Sequence, residues 1–373
     1  QEGQFWESLM SARRLCGNRL VVIVDHNKIQ SDTFVSDVSD LGDLTAKFAA
    51  FDFEVLRCDG HDFNALDKCL SVTPAGDRPV ALIADTVKGA GISFMAHTSM
   101  EAGEVYYRYH SGAPSPDEYK LAIDELQSVI IRGFTHAGLS VPVPHSSDID
   151  PIRLPKNVEK MIPAYTGSII RQADLNEAVV ALDADLVLDT GLIPFKEKYP
   201  NRFFECGISE QDMVSQAGTM ALGGLLPVVH SFACFLSTRP TEQIYNNFTE
   251  HTKVVYVGSL AGLLPAGPGH SHQSVRDICT MSGMPGFAVL EPFSAAQIEP
   301  LMDWVLNSHN GSSYIGLTSI PYSKRAETDG SENTQEGRGH VLRDGRDATV
   351  VVVGPVLTVE ILKAADILAS HGL

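Results

Sequence analysis

Residues Phe203–Gly224 read FFECGISEQDMVSQAGTMALGG, and this stretch decides the fold. A short apolar strand runs into Gly207, and a helix follows whose apolar face is Met213, Ala217, Met220 and Ala221. The pattern places Glu210 one turn inside that helix, at the end of a buried strand and the start of a buried helix. Desolvation is strong there, and acid/base groups are commonly built in such places. An acid near a helix start is also favoured by the helix dipole, so Glu210 alone fixes no role.

Outward from this junction the chain alternates strands and helices. Leu20–Val24, Glu54–Cys58 and Val80–Thr86 are short apolar runs, separated by helical stretches such as Leu44–Ala50 and Phe63–Val72. A second series comprises Ala184–Val187, Arg202–Cys206, Leu226–His230, Thr252–Gly258, Ala288–Glu291 and Ser313–Leu317. Strands buried on both faces of parallel sheets read this way. The expected class is α/β, with two doubly wound parallel-sheet domains and the start of a truncated third. The third is inferred from a strand at Ala348–Val353 and a helix at Leu357–Ser370, because a lone βα unit cannot bury its own faces. Linkers are expected at 141–165 and 323–341, giving domains at 1–140, 166–322 and 342–373.

Composition narrows the classes. Among 373 residues, a formal net charge of -18 argues against nucleic-acid or anionic-membrane partners, which require basic patches. The six cysteines form no CxxC pair and suit a reducing compartment, so the cytoplasm is the expected location. No apolar run reaches the ~18 residues needed to cross a membrane.

Several further motifs carry polar groups to strand ends. In LVVIVDHNKIQSD (20–32), the Asn27 side chain and the Ile29 carbonyl suit a hard cation such as Mg²⁺, or a simple Asx turn. DGHD (59–62) reads as turn chemistry or a ligand edge, and KGAGISFM (88–95) is a Gly-rich loop. His110 lies in YHSGAP (109–114), and His270 and His272 lie in PAGPGHSHQ (265–273). Loop histidines can donate hydrogen bonds or relay protons, whereas a metal would need a third ligand nearby. Phe232 and Phe235 in HSFACF (230–235) suit either a core or a shelf for a flat heterocycle.

Taken in order, these stretches resemble the transketolase family of thiamine-diphosphate enzymes. QEGxxWE, VDHNKIQSD, DGHD, TVKGAGISFM and YHSGAP follow one another as in the family's diphosphate-binding domain. DADLVLDTG, FFECGISEQDMVSQAGTMALGG, HSFACF and the GxSHQ loop follow as in its pyrimidine-binding domain. The version resembles transketolases split over two subunits more than the long single-chain form. The resemblance implies transfer of a two-carbon ketol unit from a ketose donor to an aldehyde acceptor, through a carbanion–enamine on thiamine diphosphate. It implies that Glu210 bonds the aminopyrimidine ring nitrogen, that Phe232 and Phe235 stack on that ring, and that Leu186, with Asp185, props the cofactor. Asn27 and Ile29 match ligands of Mg²⁺ (or Ca²⁺). His110 and His272 match catalytic and substrate-contacting histidines, and Arg171 and Asp189 match substrate contacts. A homodimer with sites at its interface, or a second subunit, is implied.

The departures from the family pattern shape the alternatives. The Gly-Asp-Gly that supplies a further metal ligand would lie upstream of Gln1. The loop acid that reads the donor appears as Pro268, and the phosphate-gripping His and Arg fall near Gly258 and Ile320. The alternatives are a 2-oxo-acid dehydrogenase E1 component, a deoxyxylulose-phosphate-synthase-like enzyme, or a catalytically silent truncated subunit.

Overall fold

The computed structural model describes residues 2–74, 76–110, 114–142, 157–324 and 339–373. It divides into Gln1–Asp150 and Pro151–Leu373. Most of both expected linkers, 143–156 and 325–338, lies outside the described residues.

The first unit is built on a three-stranded parallel sheet of β1 (Val21–His26), β2 (Glu54–Asp59) and β3 (Val80–Asp85), in the order β1–β3–β2. Val80 pairs with Val21 on one side and with Glu54 on the other, so all three carboxyl ends share one edge. The uninterrupted apolar run VALIA explains the central position of β3, whose residues are buried on both faces. The edge strand β1 departs from that expectation: Val22 and Val24 pack on the core, while Val21 and Ile23 are exposed. Leu9 of helix Gly3–Cys16 and Leu44 and Phe48 of helix Leu44–Ala50 fill the core with Phe53, Ala81 and Ile83.

Caps set the helix starts. Asp43 accepts from Ala46 N, and Asp62 accepts from Asn64 N and Ala65 N. Ser115 and Glu118 form a reciprocal capping box at the head of Pro116–His136. The acids of DGHD are therefore occupied by turn and cap chemistry, since Asp59 accepts from His61 N.

The second unit holds a six-stranded, all-parallel sheet. Its strands are β5 (Val179–Asp183), β6 (Phe203–Glu205), β7 (Leu226–Phe232), β8 (Val255–Ser259), β9 (Ala288–Leu290) and β10 (Ser313–Leu317). The order is β6–β5–β7–β8–β10–β9. A small antiparallel pair, β4 (Val158–Glu159) with β11 (Tyr322–Ser323), ties the two ends of this region together. Helices cover both faces. Met161–Leu175 buries Tyr165 and Ile169, while Glu210–Leu222 buries Met213, Val214 and Ala217 in a cluster with Leu182, Val229 and Tyr256. The α/β class with parallel sheets thus holds in both units.

Two expected strands are corrected. Ala184–Val187 is not extended: β5 stops at Asp183, and Val187–Thr190 is a short helix. The Asp183 carboxylate accepts from Leu186 N at 2.6 Å and Thr190 Oγ1 at 2.9 Å, which turns the chain. Asp185, at φ 58°, sits in the left-handed region, which no strand interior tolerates. Ala348–Val353 forms no strand either: among the described residues no strand lies beside it to bond, and Val351 is exposed. Helix Pro355–Ser370 does form.

Phe48, fully buried, has neighbours on two helices and the sheet. Replacing it with alanine leaves a cavity the backbone cannot close, so Phe48→Ala is expected to cost about 3–5 kcal/mol, read as a lowered urea midpoint.

Candidate functional site

The chain passes from β5 outward to β6 and then returns across the sheet to β7. The strand order therefore reverses between β5 and β7, and parallel sheets bind ligands at the carboxyl ends of the strands flanking such a reversal. Residues following β5, β6, β7 and β8 all converge on this edge.

Glu210 is the first residue of helix Glu210–Leu222 rather than one turn inside it, and it is only 3 % exposed. Its Oε1 accepts from Arg239 Nη1 at 2.6 Å. The Arg239 guanidinium lies 3.9 Å from the centroid of the Phe235 ring. Phe235 in turn meets Phe232 at 5.6 Å and the His272 ring edge-on at 5.1 Å. Leu186, Phe232, Cys234 and Leu260 form a small buried apolar cluster against which Phe235 packs. The structure thus brings Glu210, Phe232, Phe235, Leu186 and His272 together at one sheet edge.

The His272 loop is closed by two hydrogen bonds, Ser274 N to Gly262 O at 2.9 Å and Gln273 Nε2 to Leu263 O at 3.1 Å. Burial, and then the charge of Arg239, push His272 below the usual histidine range, so its ring is neutral near pH 7. Asp185 is fully buried behind Leu186. Asp189 lies in the short helix that follows. Arg171 is elsewhere: it pairs with Glu299 on the helix side of the unit, not with the edge residues.

Two residues of this edge escaped sequence reasoning. Arg239, four residues after Phe235, carried no motif of its own. Glu205 stood inside the opening stretch, as the polar residue that ends an apolar strand. Its Oε1 accepts from Asp185 N at 2.8 Å and Gly207 N at 3.0 Å, so it clamps the turns after β5 and β6 together. Its Oε2 is buried without a hydrogen-bond partner. Burial drives the Glu205 carboxyl up to about 7, against the two N–H donors that would lower it. Burial also lifts the neighbouring thiols, Cys206 to about 12 and Cys234 to about 11.

In the first unit, Asn27 Oδ1 accepts from Ile29 N at 3.1 Å, which is the Asx turn anticipated as one reading of that motif. Lys28 between them has φ 72°. Its ammonium bonds Asp85, which also receives Arg57 Nε at 2.6 Å and Nη2 at 2.9 Å. These cations, Arg57 foremost, hold the Asp85 carboxyl well below the usual carboxylate range. His110 Nδ1 lies 2.8 Å from Lys88 Nζ, whose ammonium also sits over the Tyr107 ring. Ser111–Ala113 of the same motif lie outside the described residues. Among the described residues, no group of three or more His, Cys, Asp or Glu could hold a metal, and no helix is long and apolar enough to cross a membrane.

A buried acid, an aromatic pair and a loop histidine thus stand at a parallel-sheet switch point. The family described as "Transketolase, thiamine diphosphate binding domain" matches residues 1–105, and "Transketolase, pyrimidine binding domain" matches residues 160–322. The chain belongs to the transketolase family. One relative is the 6-deoxy-6-sulfo-D-fructose transketolase subunit SqwH of Clostridium sp. (strain MSTE9), 32% identical over 56% of this chain and 64% of that protein. Another is mouse transketolase-like protein 2, 29% identical over 100% of this chain and 59% of that protein. A solved split gene transketolase, an inactive β4 tetramer, aligns with TM-score 0.51 and 30% identity, covering 58% of this chain and 69% of that one. The chain therefore spans about three-fifths of the length of these curated relatives.

Glu205 sets a pH dependence whose sign is fixed. Its carboxyl titrates near 4.5 when unfolded and at about 7 when folded, so the folded state binds the proton more tightly. Stability from this group is fully present below the unfolded value and is lost as pH rises through the folded one. Glu205→Gln, which mimics the protonated acid, is expected to match the wild type in urea at pH 5 and to exceed it at pH 7.5.

Proposed function

We propose that this chain acts as a transketolase-like transferase, moving a two-carbon ketol unit from a ketose donor to an aldehyde acceptor with thiamine diphosphate and Mg²⁺. The observation that carries this reading is the Glu210 carboxylate, nearly sealed from water where Phe232, Phe235, Leu186 and His272 converge. The residues fit the group: an apolar, aromatic wall suits a flat ring, and a buried acid suits a ring nitrogen. When bound, thiamine diphosphate supplies a carbon nucleophile and an electron sink.

The chain's own residues have distinct tasks. Glu210 shares a proton with the pyrimidine ring nitrogen, which desolvation favours over transfer to water. Phe232 and Phe235 offer ring faces. Leu186, fixed through Asp183, props the ring, and the Glu205 clamp positions Asp185 beside it. His272, neutral through burial, is able to accept or donate a proton at the substrate. In the first unit, Asn27 Oδ1 and the Ile29 carbonyl would be the two oxygen donors that hold Mg²⁺, a hard cation that would neutralise diphosphate charge. His110 and Asp189 are assigned to substrate, whereas Arg171 is committed to Glu299. Assembly as a homodimer, or with a second subunit, follows the subunit and tetramer descriptions of the relatives.

A second reading, a silent supporting subunit, is favoured by one fact: the solved relative is described as inactive. Calorimetric titration with thiamine diphosphate and Mg²⁺ separates the two, because micromolar binding removes the silent reading and no binding supports it. Given binding, ketose donors with glycolaldehyde should yield ketol transfer, whereas pyruvate decarboxylation without transfer would assign the chain to the oxo-acid enzymes. Phe235→Ala is expected to weaken cofactor binding by about 1–3 kcal/mol through lost stacking. An unchanged dissociation constant would return that ring to the core.

A further inference from the structure

Arg239 satisfies Glu210 in a manner that imitates a ligand. Its guanidinium is flat and cationic, donates from Nη1 to Glu210 Oε1 at 2.6 Å, and lies 3.9 Å from the Phe235 ring centroid. A planar nitrogen heterocycle bound here would use the same two features, a hydrogen bond to the buried acid and the same aromatic face. We infer that Arg239 is an internal stand-in for the cofactor's aminopyrimidine, so that loading proceeds by displacement of its side chain. This inference rests on the thiamine diphosphate reading of the site.

The backbone is built for such an exchange. Arg239 N donates to Phe235 O at 2.9 Å, its carbonyl accepts from Gln211 Nε2 at 3.3 Å, and Pro240 follows. The main chain is thus pinned by bonds to Phe235 and Gln211, whereas the long side chain is held at its tip, by Glu210 and the Phe235 ring. The Arg239 side chain is 30 % exposed, against 3 % for Glu210, so it lies on the solvent side of the pair. A buried carboxylate stripped of its partner is costly, so the exchange takes up one proton from water: the guanidinium leaves with its own protons and charge, and the protonated Glu210 carboxyl then donates to the ring nitrogen, which carries no hydrogen of its own.

The test titrates thiamine diphosphate with Mg²⁺ into the wild type, Arg239→Ala and Arg239→Lys by calorimetry, with association rates from stopped flow. Arg239→Ala is expected to bind about tenfold more tightly and to associate faster, because nothing competes for the seat. Arg239→Lys, which keeps the charge but not the plane, is expected to fall between. If Arg239→Ala does not stay folded on a thermal melt, Arg239→Gln carries the same comparison with a smaller donor. Binding by the wild type with no gain, or a loss, in the variants overturns the inference and leaves the cofactor reading standing. Binding by the variants alone supports both, and no binding by any of these chains overturns both.

Discussion

A carboxylate withdrawn from water must be compensated within a few ångströms, and Glu210 imposes that demand on everything around it. The helix that begins at Glu210 offers its dipole, but the first turn of a helix is worth only about 0.3–1 kcal/mol to an acid at the surface. The specific partner is Arg239, held by the turn after β7, with Phe235 under its guanidinium. The acid follows β6 while the cation and the ring both follow β7, and the parallel sheet registers these two connections at one edge. The register is therefore what makes the compensation possible. A slip between β5 and β7 would separate Leu186 from Phe232 and remove the wall of the site.

A second constraint lies one layer deeper. Asp183, Asp185 and Glu205 crowd the turns after β5 and β6, an arrangement that like charges alone would oppose. Backbone N–H groups of Leu186, Asp185 and Gly207 and the Thr190 hydroxyl absorb much of that charge. Burial drives Glu205 toward its neutral form and relieves the rest. The left-handed Asp185 costs of order 1 kcal/mol and persists because these bonds over-determine it. The cost is local and the return is a fixed direction for Leu186.

Much of the architecture was legible in residue pattern. Apolar runs such as VALIA announce a strand covered on both faces, and ECGISEQDM announces a strand–helix junction, since neither pattern suits any other environment. The failures are equally physical. ADLV looked like a strand because three of its four residues are apolar, yet the Asp183 side chain captures the Leu186 N–H and turns the chain, an effect that hydropathy does not encode. Ala348–Val353 has strand composition but, among the described residues, no strand beside it, and pairing is a property of two segments. At the site, the aromatic pair, the loop histidine and Glu210 could be named because each follows a strand end. Arg239 could not, because a cation in a polar turn is ordinary until the fold closes it onto an acid.

One chemical property of this edge follows from its sulfurs. Cys206 adjoins the Glu205 clamp, and Cys234 stands between the two phenylalanines; burial keeps both as thiols across the physiological range. Thiolates add readily to free carbonyl compounds and react with peroxides, whereas buried thiols do so slowly. Two potential nucleophiles at this edge thus stay dormant, so that a carbonyl compound reaching it would be slow to form a hemithioacetal with either sulfur.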